Sequence, residues 1–438
     1  MPEHKTSVLR YEASPDSLRR LIILCGGLDG LHGGLRAFIK PNLVALDESF
    51  PMPLFGVVTT TRLVHDMVIL LKEHGVESIT IGEGSAYGKN FGVPTGRVFE
   101  VLGYGDLVKR YGVRLMDIHQ EHFIEKDFGD YSLEISEAAL SADFFINMPV
   151  MKTHNQAVLS LGLKNLKGCI SMRSRKRCHS ADKGLDRHLA RLVEKLTPNL
   201  TVIDGIYGLE KGPFYTGTAV RMDALVASSD PLSADLTGAA VAGFDPMKVP
   251  HIRLCAEKQG RSPYMEESSL TGDAVATVRR PLKWDNTWRA DDTGPRAWDR
   301  LGIQGVRFPK YDSTLCTGCS GLYSPMLVAV MAAYKGQPFD EIEILTGKAA
   351  EPSGRANRTL LVGNCMIKAN RRSPAIREAV LAAGCPPRLD ALMDAMKSCG
   401  IEAGEKALMS FLQGLAGRYE GKDEFDKGFF RVQDKRGN

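Results

Sequence analysis

Short apolar runs alternate with amphipathic stretches through the first 240 positions of the chain. RAFIKPNLV (36–44), SITIGEG (78–84), FFINMPVM (144–151), LTVIDGI (200–206) and ALVASSD (224–230) each predict a β-strand. Between the first two lies TTTRLVHDMVILLKEHG, whose Leu63, Val64, Met67, Leu70 and Leu71 fall on one helical face. A threonine cap opens that helix and Gly75 closes it. Strands alternating with amphipathic helices predict an α/β unit over residues 1–243, built on a mostly parallel sheet covered on both faces. Such a sheet gathers its loops into a crevice beyond the carboxyl ends of its strands. The polar residues cluster at those ends: Lys40 and Asn42, Glu83 and Ser85, Lys152 and His154, then Asp204.

Residues 244–302 lose this rhythm and are rich in Trp, Arg, Pro and Asp. They predict a connecting or covering segment, with Trp284, Trp288 and Trp298 buried between two α/β units. After Cys319 come a helix (LYSPMLVAVMAAYKG), two strands (EIEILTG and TLLVGN) and a further helix, the pattern of a smaller flavodoxin-like unit over 303–420. From Arg418 onward, including 421–438, the charged tail is expected to fray.

At 438 residues, 43% hydrophobic and 25% charged, the chain has room for two or three cores at about 100–200 residues per domain. A net charge of +4 is too small to imply nucleic acid. The first twenty residues lack the apolar core of a signal peptide, and no window has the length of a membrane span. A cytoplasmic location follows as the expectation. A reducing compartment in turn disfavours a disulfide framework.

Cysteine placement changes the picture most. Cys316 and Cys319 form a CTGC pair, Cys365 lies in LVGNCMI, and Cys385 lies in AGCPPRLDALMDAM. Thiolates are soft ligands, and four of them suit an iron–sulfur cluster or zinc. Gly384 lets backbone approach such a site, and Pro386 and Pro387 suit the first turn of a following helix. Cys25, Cys169, Cys178, Cys255 and Cys399 show no ligand spacing and read as small buried hydrophobes.

The GxC that ends an apolar run and the GCPPR that follows resemble the proximal-cluster domain of nickel–iron hydrogenase small subunits and the related small subunit of respiratory complex I. The resemblance covers roughly 303–420. It implies one 4Fe–4S cluster on Cys316, Cys319, Cys365 and Cys385. A second resemblance spans roughly 36–240 and rests on IKPNLV, IGEGS, INMPVMKTH, LGLKNLKGC, His188, the DG of VIDGIYGLEKGP and SSDPLSAD. These residues are similar to the family called domain of unknown function 362, whose members often carry an iron–sulfur module of the ferredoxin type. That family also looks distantly related to nickel-pincer lactate racemases, but no residue here stands out to anchor such a cofactor.

Within these motifs, Lys152, His154, Lys164 and Lys167 sit in otherwise apolar, glycine-containing text. With Asn155, Asn165 and Gly168 they suit a carboxylate or phosphate. Arg173, Arg175, Lys176 and Arg177 read instead as a solvated face. His154 and His188 suit acid–base work or a second divalent metal. Glu83 and Asp204 suit the orienting of a cation, a ribose or a lysine. GEGSAYG lacks the turn into a helix that a dinucleotide phosphate needs, and LTGKAAEPSGR has lost the second glycine of a P-loop.

The expectation is an iron–sulfur oxidoreductase. Lys152, His154, His188 and Asp204 would be its catalytic residues. Lys40, Asn42, Glu83, Ser85, Asn155, Lys164, Asn165, Lys167 and Gly168 would bind an anionic substrate. Its electron donor would be ferredoxin or another redox protein. The alternatives are a non-catalytic electron-transfer or assembly component and a redox-neutral isomerase or ligase with a structural cluster.

Overall fold

The computed structural model describes residues 5–46, 53–86, 94–212, 217–284 and 287–433, except the side chains at 405, 407, 408, 411, 412 and 416. Residues 87–93, which include the end of GEGSAYG, lie outside this set, as do 434–438 of the tail.

The strands in chain order are β1 (Thr6–Arg10), β2 (Arg36–Pro41), β3 (Ser78–Glu83), β4 (Arg114–Asp117), β5 (Phe123–Asp127), β6 (Ser132–Ser136), β7 (Phe144–Met148), β8 (Val150–His154), β9 (Val158–Ser160), β10 (Leu200–Glu210), β11 (Thr218–Ser228), β12 (Leu270–Gly272), β13 (Val306–Arg307), β14 (Ile342–Leu345), β15 (Arg358–Val362) and β16 (Glu378–Ala382). The large sheet runs β12-β1-β11-β10-β7-β2-β3-β4, with β8 pairing β10 and β9. From β10 through β7, β2, β3 and β4 every pairing is parallel, whereas β11 joins β10 and β1 antiparallel.

Successive side chains on a strand point to opposite faces. Ala37 and Ile39 of β2 accordingly enter one core and Phe38 the other; in β7, Phe144 and Ile146 part from Phe145 in the same way. This double burial explains why these strands read as continuous apolar runs. The predicted run 144–151 is broken at Pro149 into β7 and β8, since proline cannot donate to the ladder. The run predicted at 224–230 is the end of a longer strand, β11.

The helix Thr61–Glu73 buries Leu63, Val64, Met67, Leu70 and Leu71, and Gly75 takes the left-handed conformation (φ +79°) that ends it. Thr60 stands at the N-cap without a side-chain capping bond. It is held instead by Asp204, which accepts from the Thr60 amide at 2.7 Å and its hydroxyl at 2.9 Å.

The second unit is a parallel sheet in the order β13-β14-β15-β16. Its strands follow chain order, without the reversal of a flavodoxin-type sheet. The helix Thr317–Ala333 carries the CTGC pair at its start, and Cys365 lies in the helix Asn364–Asn370 directly after β15. Pro386 and Pro387 do not form the first turn of the next helix as expected: that helix is Leu389–Ser398, capped by Arg388.

The segment 244–302 divides between the two cores. Val249, Ile252, Cys255, Val278 and Leu282 join the first unit, while Trp298 and the partly buried Trp288 join the second. Trp298 is fully buried beside Phe308 inside the second unit, not between units. Trp284 is 41% exposed and donates to the His154 carbonyl at 3.2 Å. The tail corrects a further expectation. Rather than fraying, Tyr419, Phe425, Phe429 and Phe430 return to the first core, where Phe55 touches the rings of Tyr207, Tyr419, Phe425 and Phe430 at 4.9–5.5 Å. Aromatic burial outweighs the charges scattered among these residues. No described helix is long and apolar enough to cross a membrane.

Candidate functional site

A cavity of about 180 Å³ opens where the carboxyl ends of β2, β3 and β8 meet the second unit. Lys40, Asn42, Glu83, Lys152, His154, Asn155, Lys164, Asn165, Lys167 and Gly168 line it, so ten of the residues singled out from sequence come together. A parallel sheet that turns its strand ends to one side dictates this convergence. The segment bearing Lys164 and Lys167 is fixed by Asp235. Its buried carboxylate accepts from the Gly162 amide at 2.6 Å and the Leu163 amide at 2.9 Å. Burial pushes Asp235 up to about 7.

The lysines are not equivalent. Lys40, 1% exposed, is ion-paired with Glu83 at 2.8 Å and donates to the Pro41 carbonyl. Glu83 also accepts from the Leu43 and Gly84 amides, so both side chains are committed to each other and to backbone. Gly168 is required here, since a Cβ on it would lie 2.5 Å from Lys40 Cε.

Lys152, 5% exposed, donates to Asn42 Oδ1 and to the Val57 carbonyl at 2.8 Å. Burial lowers it to about 7; nearby Glu83 opposes that shift and Lys40 adds to it. Lys167 donates to His179 Nε2 at 2.8 Å and to Thr317 Oγ1 at 3.0 Å, and burial lowers it to about 8. Lys164 has no hydrogen-bond or ion-pair partner among the described residues. Burial, with Lys167 and Lys152 close by, holds it well below the ordinary lysine value.

His154 Nδ1 accepts from the Gln156 and Ala157 amides at 3.2 Å, which leaves the ring proton on Nε2. Burial and the surrounding lysines push its pKa well down, so the ring is neutral near pH 7.

Three expected site residues lie elsewhere. Asp204 does not line the cavity; it is consumed by Thr60 and by the Ile206 amide at 3.0 Å. Ser85 is fully buried outside the cavity; its amide donates to Thr95 Oγ1 at 3.0 Å and its carbonyl accepts from His119 Nε2 at 2.9 Å. His188 is buried against Tyr131, ring centroids 4.4 Å apart, and donates through Nδ1 to the Gly184 carbonyl. His188 therefore does not line the cavity that His154 lines.

In the basic run Arg173 and Arg177 are exposed as expected, whereas Arg175 and Lys176 are not simply solvated. Arg175 is 4% exposed and donates to the carbonyls of Gly84, Gly168 and Ile170 at 2.6–3.1 Å, bracing two cavity loops. Lys176 reaches the Cys385 carbonyl at 3.2 Å and its Sγ at 3.4 Å. His179 was missed. Its sequence context, RKRCHS, carries no motif, and only the fold brings it to the cavity, between Lys167 and the Ser313 carbonyl.

The second unit closes the cavity with Tyr311, Leu315, Thr317, Ser320 and Tyr323. Gln156 donates to the Asp312 and Leu315 carbonyls, and Lys348 donates to the His179 carbonyl at 2.7 Å.

On the far side of this wall, Cys316, Cys319, Cys365 and Cys385 line one small pocket with Gly363, Asn364, Gly384 and Lys348. All four thiols are free. Cys319 hydrogen-bonds Cys316, which lies at a helix N-terminus, and both features favour Cys316 as the thiolate. Cys316 and Cys319 are half-buried, whereas Cys365 and Cys385 are exposed. Gly363 leaves space beside Cys319, where an added Cβ would stand 3.2 Å from Sγ. Among the described residues, no three His, Cys, Asp or Glu side chains stand close enough to chelate a single ion. Four thiols around one shared space fit a cubane, in which each iron takes its own thiolate.

Residues 38–240 match the family model described as Domain of unknown function (DUF362). A thylakoid-associated protein of Synechocystis sp. is 28% identical over 265 residues, covering 59% of this chain and 79% of that protein. Among solved structures, the lactate racemase apoprotein of Thermoanaerobacterium thermosaccharolyticum aligns with a TM-score of 0.36 and 16% identity. A structural-genomics protein of Thermotoga maritima aligns at 0.27 and 12%. Each alignment covers 56% of this chain and 59% of the other, so the chain spans less than two thirds of either structure.

Proposed function

We propose that this protein is an iron–sulfur oxidoreductase that acts on a small anionic substrate held in the lysine-lined cavity. The observation that carries the proposal is the shared wall. Along residues 314–320, Thr314, Cys316 and Cys319 face the cysteine pocket, while Leu315, Thr317 and Ser320 face the cavity. Two sites built on opposite sides of one turn of chain would let electrons pass between them over a bonded path.

Cys316, Cys319, Cys365 and Cys385 would hold a 4Fe–4S cluster, which when bound supplies one-electron oxidation and reduction. The remaining chemistry belongs to the chain. Lys152 and Lys167, both lowered toward neutrality by burial, gain a charge partner when a carboxylate or phosphate enters. His154 presents Nε2–H to negative charge developing on the substrate. Tyr311, Leu315 and Tyr323 shield this space from bulk water and strengthen each of those interactions. Lys40 and Glu83 form the buried pair on which the floor of the cavity is built. Exposed Cys365 and Cys385 give an electron donor such as ferredoxin its approach.

Anaerobically purified protein should contain about four irons per chain. Cys385→Ser should lose most of that iron and Cys399→Ser, buried in the second core, should keep it. Stoichiometric zinc without iron in anaerobic material would overturn the proposal in favour of a structural zinc site.

A further inference from the structure

We propose that Lys164 is a nucleophile that forms an imine with the carbonyl carbon of a 2-oxo acid bound in the cavity. This deepens the anion-site reading above and rests on it. Each neighbouring amine is already engaged: Lys40 by Glu83, Lys152 by Asn42 and the Val57 carbonyl, Lys167 by His179 and Thr317. Lys164 alone of the four faces the cavity with no partner among the described residues. An amine attacks only through a free lone pair, and enzymes free one by burying a lysine beside other cations. Lys164 stands half-buried in the cavity wall, with Lys152 and Lys167 as the neighbouring cations. Its backbone is fixed by Asp235 through Gly162 and Leu163, so the amine is presented from an anchored turn.

The neighbours define the substrate class. An imine needs a ketone or aldehyde carbon. The Nζ of Lys167 and the His154 Nε2–H offer donors to an adjacent carboxylate, and about 180 Å³ accommodates a small molecule. A carbonyl next to a carboxylate satisfies both requirements. The step balances without a co-reactant. The Lys164 nitrogen bonds to the carbonyl carbon and gives up one proton as the carbonyl oxygen takes one up, which gives the carbinolamine. The hydroxyl then leaves as water while nitrogen gives up its proton and forms the C=N bond. Lys152, lining the same cavity and titrating near neutrality, is suited to give a proton to the departing hydroxyl and recover one from nitrogen.

The full-length protein incubated at pH 7 with pyruvate and sodium cyanoborohydride should gain the mass of one pyruvic acid less one oxygen atom. Peptide mapping should place it on Lys164, at least ~10-fold above exposed Lys109. Lys164→Met should lose that adduct. Because the map is read on the unaltered chain, the result does not depend on how the variant folds. Labelling spread over surface lysines, or centred on Lys152, would overturn the proposal. Calorimetry with malonate, which has no reactive carbonyl, separates the two readings. Malonate binding without an adduct on Lys164 overturns the imine and leaves the anion site standing, whereas failure of both overturns both.

Discussion

Sulfate binding to the cavity should weaken steeply as the pH rises from 6 to 9. Lys152 titrates at about 7, pulled down by burial and by Lys40 against the opposing charge of Glu83. At pH 6 it is mostly protonated, and at pH 9 about one molecule in 100 retains the proton. An anion that requires this charge therefore loses about 100-fold in affinity across the interval. Lys167, titrating at about 8, contributes about a further tenfold. Sulfate is the suitable probe because it stays divalent throughout. At a concentration 100 times its pH 6 dissociation constant it should stabilise the protein by about 2.7 kcal/mol; the loss from Lys152 alone reduces this to about 0.4 kcal/mol at pH 9. Calorimetric titration or the sulfate-induced shift in Tm, at constant ionic strength, reads this directly. Lys152→Met should bind sulfate weakly at pH 6 and lose most of the pH dependence. Equal affinity at pH 6 and 9, or an unchanged slope in the variant, would refute the reasoning.

The sulfate-free protein should itself become more stable between about pH 7 and the ordinary lysine value near 10.5, because the unfolded chain binds the Lys152 proton there and the folded chain does not. Melting curves of Lys152→Met should show a shallower rise over that window. Glu83→Gln should cost about 3–5 kcal/mol, since it strands the Lys40 ammonium in a site 1% exposed, and a denaturant series should detect it. Phe55→Ala, which empties the centre of four ring contacts, should cost about 3–5 kcal/mol and render the 418–433 tail sensitive to protease. A tail as resistant as in the unaltered protein would contradict its packed position.

The doubly covered sheet was legible because burial on both faces leaves unbroken apolar runs such as AFI (37–39) and FFI (144–146). The cavity was legible for a related reason: residues just past parallel strand ends must share one side of the sheet. The same rule failed for Asp204, because position at a strand end does not reveal that a helix N-terminus will claim the carboxylate. It failed for Ser85, which turns into the interior beside Thr95 and His119. Arg175 read as solvated because local charge density says nothing of the carbonyls of Gly84, Ser85, Gly168 and Ile170 that satisfy its guanidinium. The tail was misjudged on its charges, whereas its spaced aromatics decide its position. His179 and the closing residues Tyr311 and Tyr323 depend on how two units dock, which no local pattern encodes.

The proposed activity stands or falls on coupling between the cysteine pocket and the cavity. The direct measurement is an anaerobic redox titration of the iron–sulfur signal with and without malonate. A potential that shifts with malonate in the unaltered protein, and does not shift in Lys152→Met, is the result predicted. A potential that is indifferent to malonate and moves only when a protein partner is added would contradict the enzyme reading and identify the chain as an electron relay.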